Sequence, residues 1–460
     1  MSGFSGKLYV PSDAGFEEAV FARVFNARRP TDRRPSAVLV AENEHDVAAG
    51  VRYAADNGLS VAVRSGGHSW AVWSVQNNTL LIDLGKLNSA EYDEATGIVS
   101  GGPAIQGGNE LDPFLAERGR FFNGGHCPPV GIGGFLLQGG QGWCQRGWGW
   151  AAESVVAIDV VTAEGELVRA DAQQNSDLYW AARGAGPSFP GIVTKFYLKT
   201  RPRFQHLFHS VQVYDIADFA EVMTWMYAVE PTISPDVEIV CVSLCPPSVD
   251  GKPRKRVFVV TGVALTDSVE AAQQALAPLQ TCPIIDRAFE NIVTESSLAE
   301  QRESQIQMNP ENWRYYADNA WVDGSTDDIV AALTPVFTTS PEPDAFTIWF
   351  GNGLMRELPD MAFSLQAPAY IATYLAYEDS AQDARNRAWL NEAMVAAQPV
   401  TVGQYLGDSD MTNRQLKFMS DDNFARLQKI IAERDPNGRF VRYLAKDSAT
   451  VNRNQWEVSS

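Results

Sequence analysis

Two short segments hold the residues whose types and spacing could do chemistry. The first follows the apolar residues 61–63 and consists of Arg64, Ser65, Gly66, Gly67, His68 and Ser69. A strand that runs into Ser-Gly-Gly brings several backbone N–H groups together, which is the geometry that receives a phosphate oxygen. The adjoining arginine adds charge-assisted donors. The segment predicts a phosphate site with His68 at its rim, and a loop histidine that only satisfies hydrogen bonds stays the alternative.

The second segment places a cysteine inside the densest glycine cluster of the chain. Cys127 is followed by two prolines and by a run that contains Val130, Gly131, Ile132, Gly133, Gly134, Gly139 and Gly142. A buried structural cysteine usually lies in an apolar strand or helix, whereas a thiol among backbone donors can have a lowered pKa and act as a nucleophile or a ligand. The nearby histidines and cysteines lack paired metal-ligand spacing, so no metal site is predicted.

The glycine-rich region itself has a structural meaning. Residues 97–149 contain 16 of the chain's 36 glycines, interleaved with Phe, Leu, Ile and Trp, while serine is scarce. This composition favours ordered loops that approach a ligand closely over a flexible linker. The glycines do not keep the G-x-G-x-x-G spacing of a Rossmann dinucleotide site.

Strand-like and helix-like stretches alternate along the rest of the chain. In the first part, strands are predicted at residues 37–40, 61–63, 80–82, 155–158, 167–168 and 192–198, with a helix at residues 45–57. Farther along, strands are predicted at residues 207–213, 237–244, 256–263, 346–350 and 370–377, and helices at residues 218–229, 268–279, 381–397 and 423–433. The pattern predicts an α+β protein whose second part is a mainly antiparallel sheet covered by helices.

Charge and composition exclude several classes of partner. The chain has 37 basic and 56 acidic residues and a net charge of −19, so nucleic acids and anionic membranes are not expected partners. No apolar run approaches the ~18 residues of a membrane span, the first residues lack the apolar core of a signal peptide, and five cysteines do not suggest a disulfide framework. We expect a cytoplasmic protein with a small-molecule substrate. The oligomeric state is not predicted.

The two segments, in this order and with both motifs intact, also carry a resemblance. The chain resembles the berberine-bridge-enzyme-like FAD-linked oxidoreductases of the vanillyl-alcohol-oxidase flavoprotein superfamily. Further stretches that resemble the family are residues 26–30, 34–38, 177–186, 191–194, 422–427 and 435–440. The resemblance covers residues 1–202 and 406–460 well and the middle of the chain poorly.

The resemblance implies a domain organisation and a cofactor. It implies an FAD-binding domain in two parts, residues 1–202 and 406–460, with an inserted substrate-binding domain over residues 203–405. It implies FAD bound covalently, with His68 on the flavin 8α-methyl carbon and Cys127 on flavin C6. The remaining implied FAD contacts are Arg64, Ser65, Gly66, Gly67, Ser69, Val130, Gly131, Gly133, Gly134, Gly139, Gly142, Gly191, Val193 and Asn423.

The resemblance also implies an activity, the oxidation of an alcohol by hydride transfer to flavin N5, and leaves open whether that alcohol is a secondary metabolite, an aromatic compound or a sugar. The family often uses Tyr-x-Asn-Tyr near the flavin with its second Tyr as base, and this chain has Tyr405-Leu406-Gly407-Asp408 instead. Asp408 could act as the base if burial raises its pKa, and Tyr405 could orient the substrate or share that role. Tyr316 is the third candidate catalytic residue, from a group that could line an apolar substrate face: Trp313, Tyr315, Tyr316, Trp321, Trp349, Phe363 and Tyr374.

The sequence leaves several functional alternatives open. The electron acceptor is oxygen or another molecule; the family associates a Val at the position of Ile132 with oxidase behaviour, so Ile132 argues against fast reoxidation by oxygen. The same scaffold could support amine oxidation or oxidative C–C bond formation, or the protein could bind flavin without catalysis. A hydrolase with Cys127 as nucleophile is a further alternative, because a thiolate with a partner base is a general nucleophile.

Overall fold

The computed structural model describes residues 3–248, 254–352, 355–411 and 413–441. Its strands are β1 (Lys7–Tyr9), β2 (Ala37–Val40), β3 (Ser60–Arg64), β4 (Thr79–Asp83), β5 (Ala90–Asp93), β6 (Ile98–Gly101), β7 (Arg120–Phe121), β8 (Val155–Val161), β9 (Leu167–Asp171), β10 (Ile192–Lys199), β11 (Arg201–Pro202), β12 (His206–Asp215), β13 (Val237–Leu244), β14 (Val257–Thr266), β15 (Glu290–Ser296), β16 (Arg314–Val322), β17 (Phe346–Gly351), β18 (Ala369–Tyr377) and β19 (Thr401–Gly403).

The α-helices are α1 (Phe16–Phe21), α2 (Glu44–Asp56), α3 (Asp112–Ala116), α4 (Ile132–Leu137), α5 (Gln145–Trp148), α6 (Ser176–Ala181), α7 (Phe219–Val229), α8 (Val269–Leu276), α9 (Leu298–Met308), α10 (Thr326–Thr338), α11 (Asp383–Ala397) and α12 (Asp421–Arg434). Among the described residues, no helix combines the length and the apolar character needed to cross a bilayer.

The first sheet is small and has the order β1-β2-β4-β3, with β2, β4 and β3 parallel. Helix α2 connects two of these strands, and the side chain of Asn43 caps it by accepting hydrogen bonds from the N–H groups of His45 and Asp46. The apolar side chains of α2 pack against the sheet at helical spacing. The parallel arrangement matters for function because it brings the end of β3 to one edge of the sheet.

The second sheet is antiparallel and has the order β5-β6-β10-β8-β9. The predicted hairpin is present, since β8 pairs with β9 and Gly165 in their connection has φ +76°. The described end of the chain returns to the first sheet: the N–H of Val61 donates to the carbonyl of Arg439, and the N–H of Val441 donates to the carbonyl of Val61. The last part of the predicted C-terminal segment, residues 442–460, lies outside the described residues.

The third sheet has eight strands in the order β15-β12-β14-β13-β17-β18-β16-β19, and all neighbours are antiparallel. One of its faces packs in a single apolar core with α7, α8, α10 and α11. The opposite face is directed toward the loops of the other sheets and carries a second, aromatic-rich cluster. The predicted sheet covered by helices on one side is therefore confirmed.

The sequence pattern did not predict three of these strands, β15, β16 and β19. Strand β16 contains two adjacent buried polar residues, Asp318 and Asn319, which are 1% and 0% exposed. Polar residues at these positions interrupt the apolar pattern that marks a buried strand. Tertiary hydrogen bonds, which a sequence pattern does not contain, satisfy them.

Candidate active site

One cavity of about 590 Å³ lies between the glycine-rich loops and the eight-stranded sheet. It collects most of the predicted site residues from distant parts of the chain. Those that line it are Arg64, Ser65, Gly66, Gly67, His68, Ser69, Cys127, Val130, Gly131, Gly133, Gly134, Gly191, Val193, Tyr405 and Asp408. The two chemistry-bearing segments of the sequence therefore form one site.

Backbone contact between the two glycine segments shapes one side of this cavity. A Cβ atom on Gly66 would lie 2.6 Å from the backbone nitrogen of Gly131, and a Cβ on Gly133 would lie 2.9 Å from Ser65 Oγ. Gly67 has φ +82°, and a Cβ there would collide with the carbonyl oxygen of Arg23. Glycine is required at these positions because any side chain would push the loops apart.

His68 stands where the two segments meet. Its ring stacks on Phe25 with centroids 4.7 Å apart, and it donates a hydrogen bond to the carbonyl of Pro129. Burial lowers the pKa of His68 to about 4. The hydrogen bond to Pro129 raises this pKa, but by less than burial lowers it. The imidazole is therefore neutral at pH 7, with one nitrogen engaged by the carbonyl.

Cys127 carries a free, half-buried thiol in the same cavity. Burial, with the negative charge of Asp408 as a second cause, raises the pKa of Cys127 to about 12. The expectation of a lowered thiol pKa is therefore wrong, because the cavity removes the thiol from water without placing a cation beside it. The adjacent His126 is bonded to Glu238 rather than to the thiol, so the structure does not support the hydrolase alternative.

Asp408 faces the cavity among aromatic side chains that donate hydrogen bonds. The hydroxyl of Tyr370 donates to Asp408 Oδ2 at 2.9 Å, and the hydroxyl of Tyr374 and the indole of Trp70 act in the same sense. Burial raises the pKa of Asp408, and these donors partly oppose the shift by stabilising the carboxylate. The predicted rise in the pKa of this carboxyl is present.

Tyr405 lies next to Asp408 with its hydroxyl fixed by backbone donors. The N–H groups of Gly140 and Gln141 both donate to the Tyr405 hydroxyl oxygen at 3.2 Å. Burial and the negative charge of Asp408 raise the pKa of Tyr405 despite these donors. The hydroxyl therefore stays protonated and keeps a fixed position beside the carboxylate.

Buried polar residues of β16 hold the segment that carries Tyr405 and Asp408. The side chain of Asn319 donates to the Tyr405 carbonyl at 2.8 Å and accepts from its N–H at 2.7 Å. Asp318 forms an ion pair with Arg414 at 2.7 Å, and both side chains are 2% exposed. Sequence reasoning missed these three supporting residues. The available signal was the adjacent Asp and Asn inside an otherwise aromatic stretch.

Comparison with known proteins identifies the family. Residues 35–171 match the model of the FAD binding domain family. Over 430 residues the chain is 34% identical to the FAD-linked oxidoreductase janO of Penicillium janthinellum. The aligned region covers 92% of this chain and 93% of that protein. The chain belongs to the berberine-bridge-enzyme-like FAD-linked oxidoreductases. It is therefore an FAD-dependent oxidoreductase, as the resemblance of its motifs to that family implied.

Solved structures similar to this oxidoreductase confirm the predicted α+β fold. The 6-hydroxy-D-nicotine oxidase of Arthrobacter nicotinovorans superposes with a TM-score of 0.82 at 21% identity, over 96% of this chain and 97% of that chain. The berberine bridge enzyme of Eschscholzia californica superposes with a TM-score of 0.80 at 17% identity, over 96% of both chains.

The cavity of the oxidoreductase fits an FAD molecule. Its glycine side exposes backbone at Gly134, where a Cβ would meet no atom within 4 Å. Such open backbone suits a pyrophosphate and a planar ring system that need close backbone approach. A neutral histidine and a thiol both face the same cavity. Within the described ranges, no group of three or more His, Cys, Asp or Glu side chains is arranged to hold a metal ion.

The expectation for Arg64 requires a correction. Its guanidinium does not face a phosphate site, because Nε donates to Asp83 Oδ2 at 2.8 Å and the remaining donors bond Asp83 and the carbonyls of Ala19 and Val20. Asp83 ends the neighbouring parallel strand β4 and is itself 1% exposed, so it needs a buried counter-charge. Arg64 borders the cavity but fixes the strand ends rather than a phosphate.

Two further predicted site residues lie away from the cavity. Tyr316 points to the helix-covered side of β16, where the guanidinium carbon of Arg28 lies 3.9 Å from its ring centroid. The side chain of Asn423 donates to the carbonyl of Met361 at 2.8 Å at the start of α12. A catalytic role for Tyr316 and a cofactor contact for Asn423 are therefore not supported. Of the predicted aromatic group, only Tyr374 lines the cavity.

Gly139 and Gly142 are also absent from the cavity lining. A Cβ on Gly139 would lie 2.7 Å from the ring of Phe363, and a Cβ on Gly142 would collide with the carbonyl of Asn123. These glycines permit close packing of the loop against protein rather than against a ligand. Their dense spacing in the sequence did not distinguish the two uses.

Sequence reasoning missed a polar pair that borders the cavity. His126 Nε2 lies 2.8 Å from Glu238 Oε1, and Glu238 Oε2 accepts the N–H of Cys144 at 2.9 Å. Glu238 lies on β13, 112 positions from His126 in the chain. From the sequence, only the histidine beside Cys127 could be recognised as a candidate, and its partner Glu238 could not.

Proposed function

We propose that this oxidoreductase oxidises an alcohol, with FAD attached covalently through both His68 and Cys127 and with Asp408 as the base. The proposal rests on one observation: these three residues, which are far apart in the sequence, line the same cavity. When bound, FAD supplies the acceptor for the hydride that leaves the substrate carbon.

The chain's own residues support two flavin attachments. The neutral ring of His68 keeps one nitrogen for a bond while its other nitrogen donates to Pro129. The free thiol of Cys127 reaches the same cavity from the second loop. The backbone of the loop that holds Gly66 and Gly67 would carry the pyrophosphate, and Gly131 and Gly133 would lie against the ring system.

Asp408 is the proposed base because it combines access, burial and fixed position. A base acts best when its pKa lies near the working pH, and burial raises the pKa of Asp408 in that direction. The hydroxyls of Tyr370 and Tyr374 orient its carboxylate, which would take the hydroxyl proton of the substrate at an oxygen. Tyr405, fixed by two backbone donors, would position the substrate hydroxyl beside it.

We further propose that oxygen reoxidises this enzyme slowly and that another electron acceptor serves it. Ile132 is 1% exposed and belongs to an apolar core, while the flanking Gly131 and Gly133 line the cavity. The family associates a smaller residue at this position with oxidase behaviour. Ile132 is larger than that residue and fills the space that a smaller side chain would leave.

The proposed compartment is the cytoplasm. All five cysteines are free thiols, three of them buried. Disulfides are rare in the reducing cytoplasm. Unpaired cysteines agree with that compartment.

The experiment is a visible spectrum of the purified protein before and after acid precipitation, followed by mass analysis of tryptic peptides. Yellow colour in the pellet, with flavin mass on the tryptic peptide 65–86 that holds His68 and on the peptide 121–146 that holds Cys127, supports the double attachment. Because the second peptide also holds Cys144, fragmentation of that peptide must assign the flavin to Cys127 and not to Cys144. Flavin released into the supernatant overturns it. A panel of alcohols and amines, scored by bleaching of the flavin colour, then separates alcohol oxidation from amine oxidation and from flavin binding without catalysis.

A further inference from the structure

The central strands of the eight-stranded sheet carry apolar side chains on both faces, interrupted on the cavity face by His209, Glu238 and Thr261. On β13, Ile239 and Cys241 are buried under the helices, while Val240 and Val242 alternate with them and line the cavity. On β17, Trp349 lies on the helix side and Ile348 lines the cavity. An antiparallel sheet with one face toward water alternates apolar with polar residues. We therefore expect an apolar molecule to cover the face of this sheet that lines the cavity.

Strand register shows that the cavity-lining residues form a continuous surface. Val242 lies opposite Ile348 on β17 and opposite Val259 on β14. Val240 lies opposite Thr261, whose hydroxyl donates to the Val240 carbonyl at 2.9 Å and is thus satisfied within the sheet. We name Val211, Val240, Val242, Val259 and Ile348 the aliphatic wall.

The aliphatic wall extends away from the proposed base. Tyr370 on β18 contacts Asp408, and Val211 lies on β12, four strands farther across the sheet. Neighbouring strands are about 4.8 Å apart, so Val211 lies about 19 Å across the sheet from the strand of Tyr370. The aliphatic wall itself runs from β12 to β17 and is about 14 Å long. Met308 of α9 lines the same cavity. The wall is long enough for a molecule of several fused rings.

Two polar pairs border this part of the cavity, and the side chains of Gln141, Ser304 and Gln305 also line the cavity, with Gln141 Nε2 buried and without a partner. His126 is bonded to Glu238 at 2.8 Å. His209 Nδ1 accepts from the side-chain amide nitrogen of Gln301 at 3.3 Å. A sugar chain needs many protein partners for its hydroxyls, since burying an unpaired hydroxyl is costly. The aliphatic wall offers side chains that contain only hydrocarbon.

We propose that the aliphatic wall binds the non-reacting part of the substrate, and that this substrate is an alcohol on a large hydrocarbon skeleton rather than a carbohydrate. The inference rests on the proposed function, because it places the reacting hydroxyl at Asp408 and the skeleton along the wall. Apolar contact over the wall would supply most of the binding free energy.

The first test compares two probes on the holoprotein by equilibrium dialysis with mass-spectrometric quantification. The probes are androsterone, a four-ring steroid alcohol, and the sugar maltotriose. We expect androsterone to bind at least about tenfold more tightly, as differences of several methylene contacts in an apolar site produce. Equal binding, tighter binding of maltotriose, or no binding of androsterone overturns the inference.

The second test uses isosteric polar substitutions. The double variant Val242→Thr/Val259→Thr should bind androsterone about tenfold more weakly. The control is Val213→Thr/Val257→Thr, two positions on the same face that do not line the cavity, and it should leave the Kd unchanged. Equal loss in both variants would overturn the assignment of the wall. Melting temperatures show whether both variants fold. If a variant does not fold, the comparison of androsterone with maltotriose on the wild-type protein still tests the inference.

The outcomes separate this inference from the proposed function. Dialysis measures binding without turnover, and the visible spectrum of the same sample reports the flavin. A yellow protein with acid-stable flavin that prefers maltotriose contradicts the substrate class alone. A protein whose flavin is released by acid, but which binds androsterone through the wall, contradicts the double attachment alone.

Discussion

The two sides of the cavity are built from different parts of the polypeptide. On the glycine side, loops touch through backbone atoms, and a Cβ on Gly131 would lie 2.9 Å from the Cα of Gly66. On the aliphatic wall, the backbone is an ordinary antiparallel sheet and only the side chains reach the cavity. The loop contacts at Gly66 and Gly131 therefore tolerate no added side chain, whereas the wall can exchange side chains without moving its backbone. Such a fold can keep its cofactor while its substrate changes.

Asp408 lies where the two sides meet. It follows the short strand β19 and faces Cys127 on the glycine side and Tyr374 on the sheet. The negative charge of Asp408 contributes to the raised pKa of both side chains. The Asp318–Arg414 ion pair and Asn319 fix this segment to the sheet. Asp408 is thus positioned by the eight-stranded sheet and directed toward the glycine-rich loops.

The largest effect is expected where the two sides meet. Asp408→Asn keeps the hydrogen bonds from Tyr370 but removes the proton acceptor, so the rate of substrate-driven flavin bleaching should fall about 10²–10⁴-fold. Stopped-flow absorbance measures this rate, and the flavin content serves as the control. A variant that keeps the wild-type rate would exclude Asp408 as the base.

The same carboxyl should set the acid limb of the pH profile. Because burial raises the pKa of Asp408 above its ordinary value of 3.8, kcat/KM should rise with pH through a midpoint above that value, where the carboxylate forms. The base works only when deprotonated, so activity is lost as the pH falls. Persistence of the same limb in Asp408→Asn would assign it to another group.

The glycine side should respond strongly to one methyl group. In Gly131→Ala the new Cβ meets the backbone of Gly66 at 2.9 Å. Overpacking of this kind costs about 3 kcal/mol. If the loops must pay this free energy to close around the flavin, the flavin affinity falls about a hundredfold. The matched control is Gly124→Ala, whose Cβ would make only ordinary contact with Phe122 at 3.8 Å. The flavin absorbance per protein, before and after acid precipitation, compares the two, and equal flavin content would contradict the backbone-contact argument.

Removal of one attachment should have a smaller effect than a change in the glycine loops. His68→Ala and Cys127→Ala should each retain acid-stable flavin through the other residue, while the double variant should release it. Cys245→Ala, a free cysteine outside the cavity lining, is the control. Free flavin after either single change would contradict two independent attachments.

The smallest effect is expected behind the glycine loop. Ile132→Val removes one methylene next to Gly101 and should speed the reoxidation of the reduced flavin by oxygen, at a stability cost of about 0.5–1.5 kcal/mol. Stopped-flow mixing of the reduced enzyme with oxygenated buffer measures the rate. An unchanged rate would show that this side chain does not limit access of oxygen.

Sequence reasoning located the glycine side because its requirements are local. A backbone that must adopt positive φ, as at Gly67, needs glycine whatever surrounds it. The adjoining His68 and Cys127 could therefore be named together with their loops. The strands and helices that the pattern predicted are present for the same reason, since periodicity is a property of consecutive residues.

Tertiary structure alone decided which side chains face the cavity. Arg64 bonds Asp83 on a neighbouring strand, Asn423 bonds a loop 62 positions away, and Tyr316 points away from the cavity whereas Tyr374 points into it. A period of two shows that a strand has two faces but not which face meets the cofactor. That choice depends on how the sheet packs on helices and loops that lie far away in the chain, so the aliphatic wall and the support of Asp408 became visible only in the folded protein.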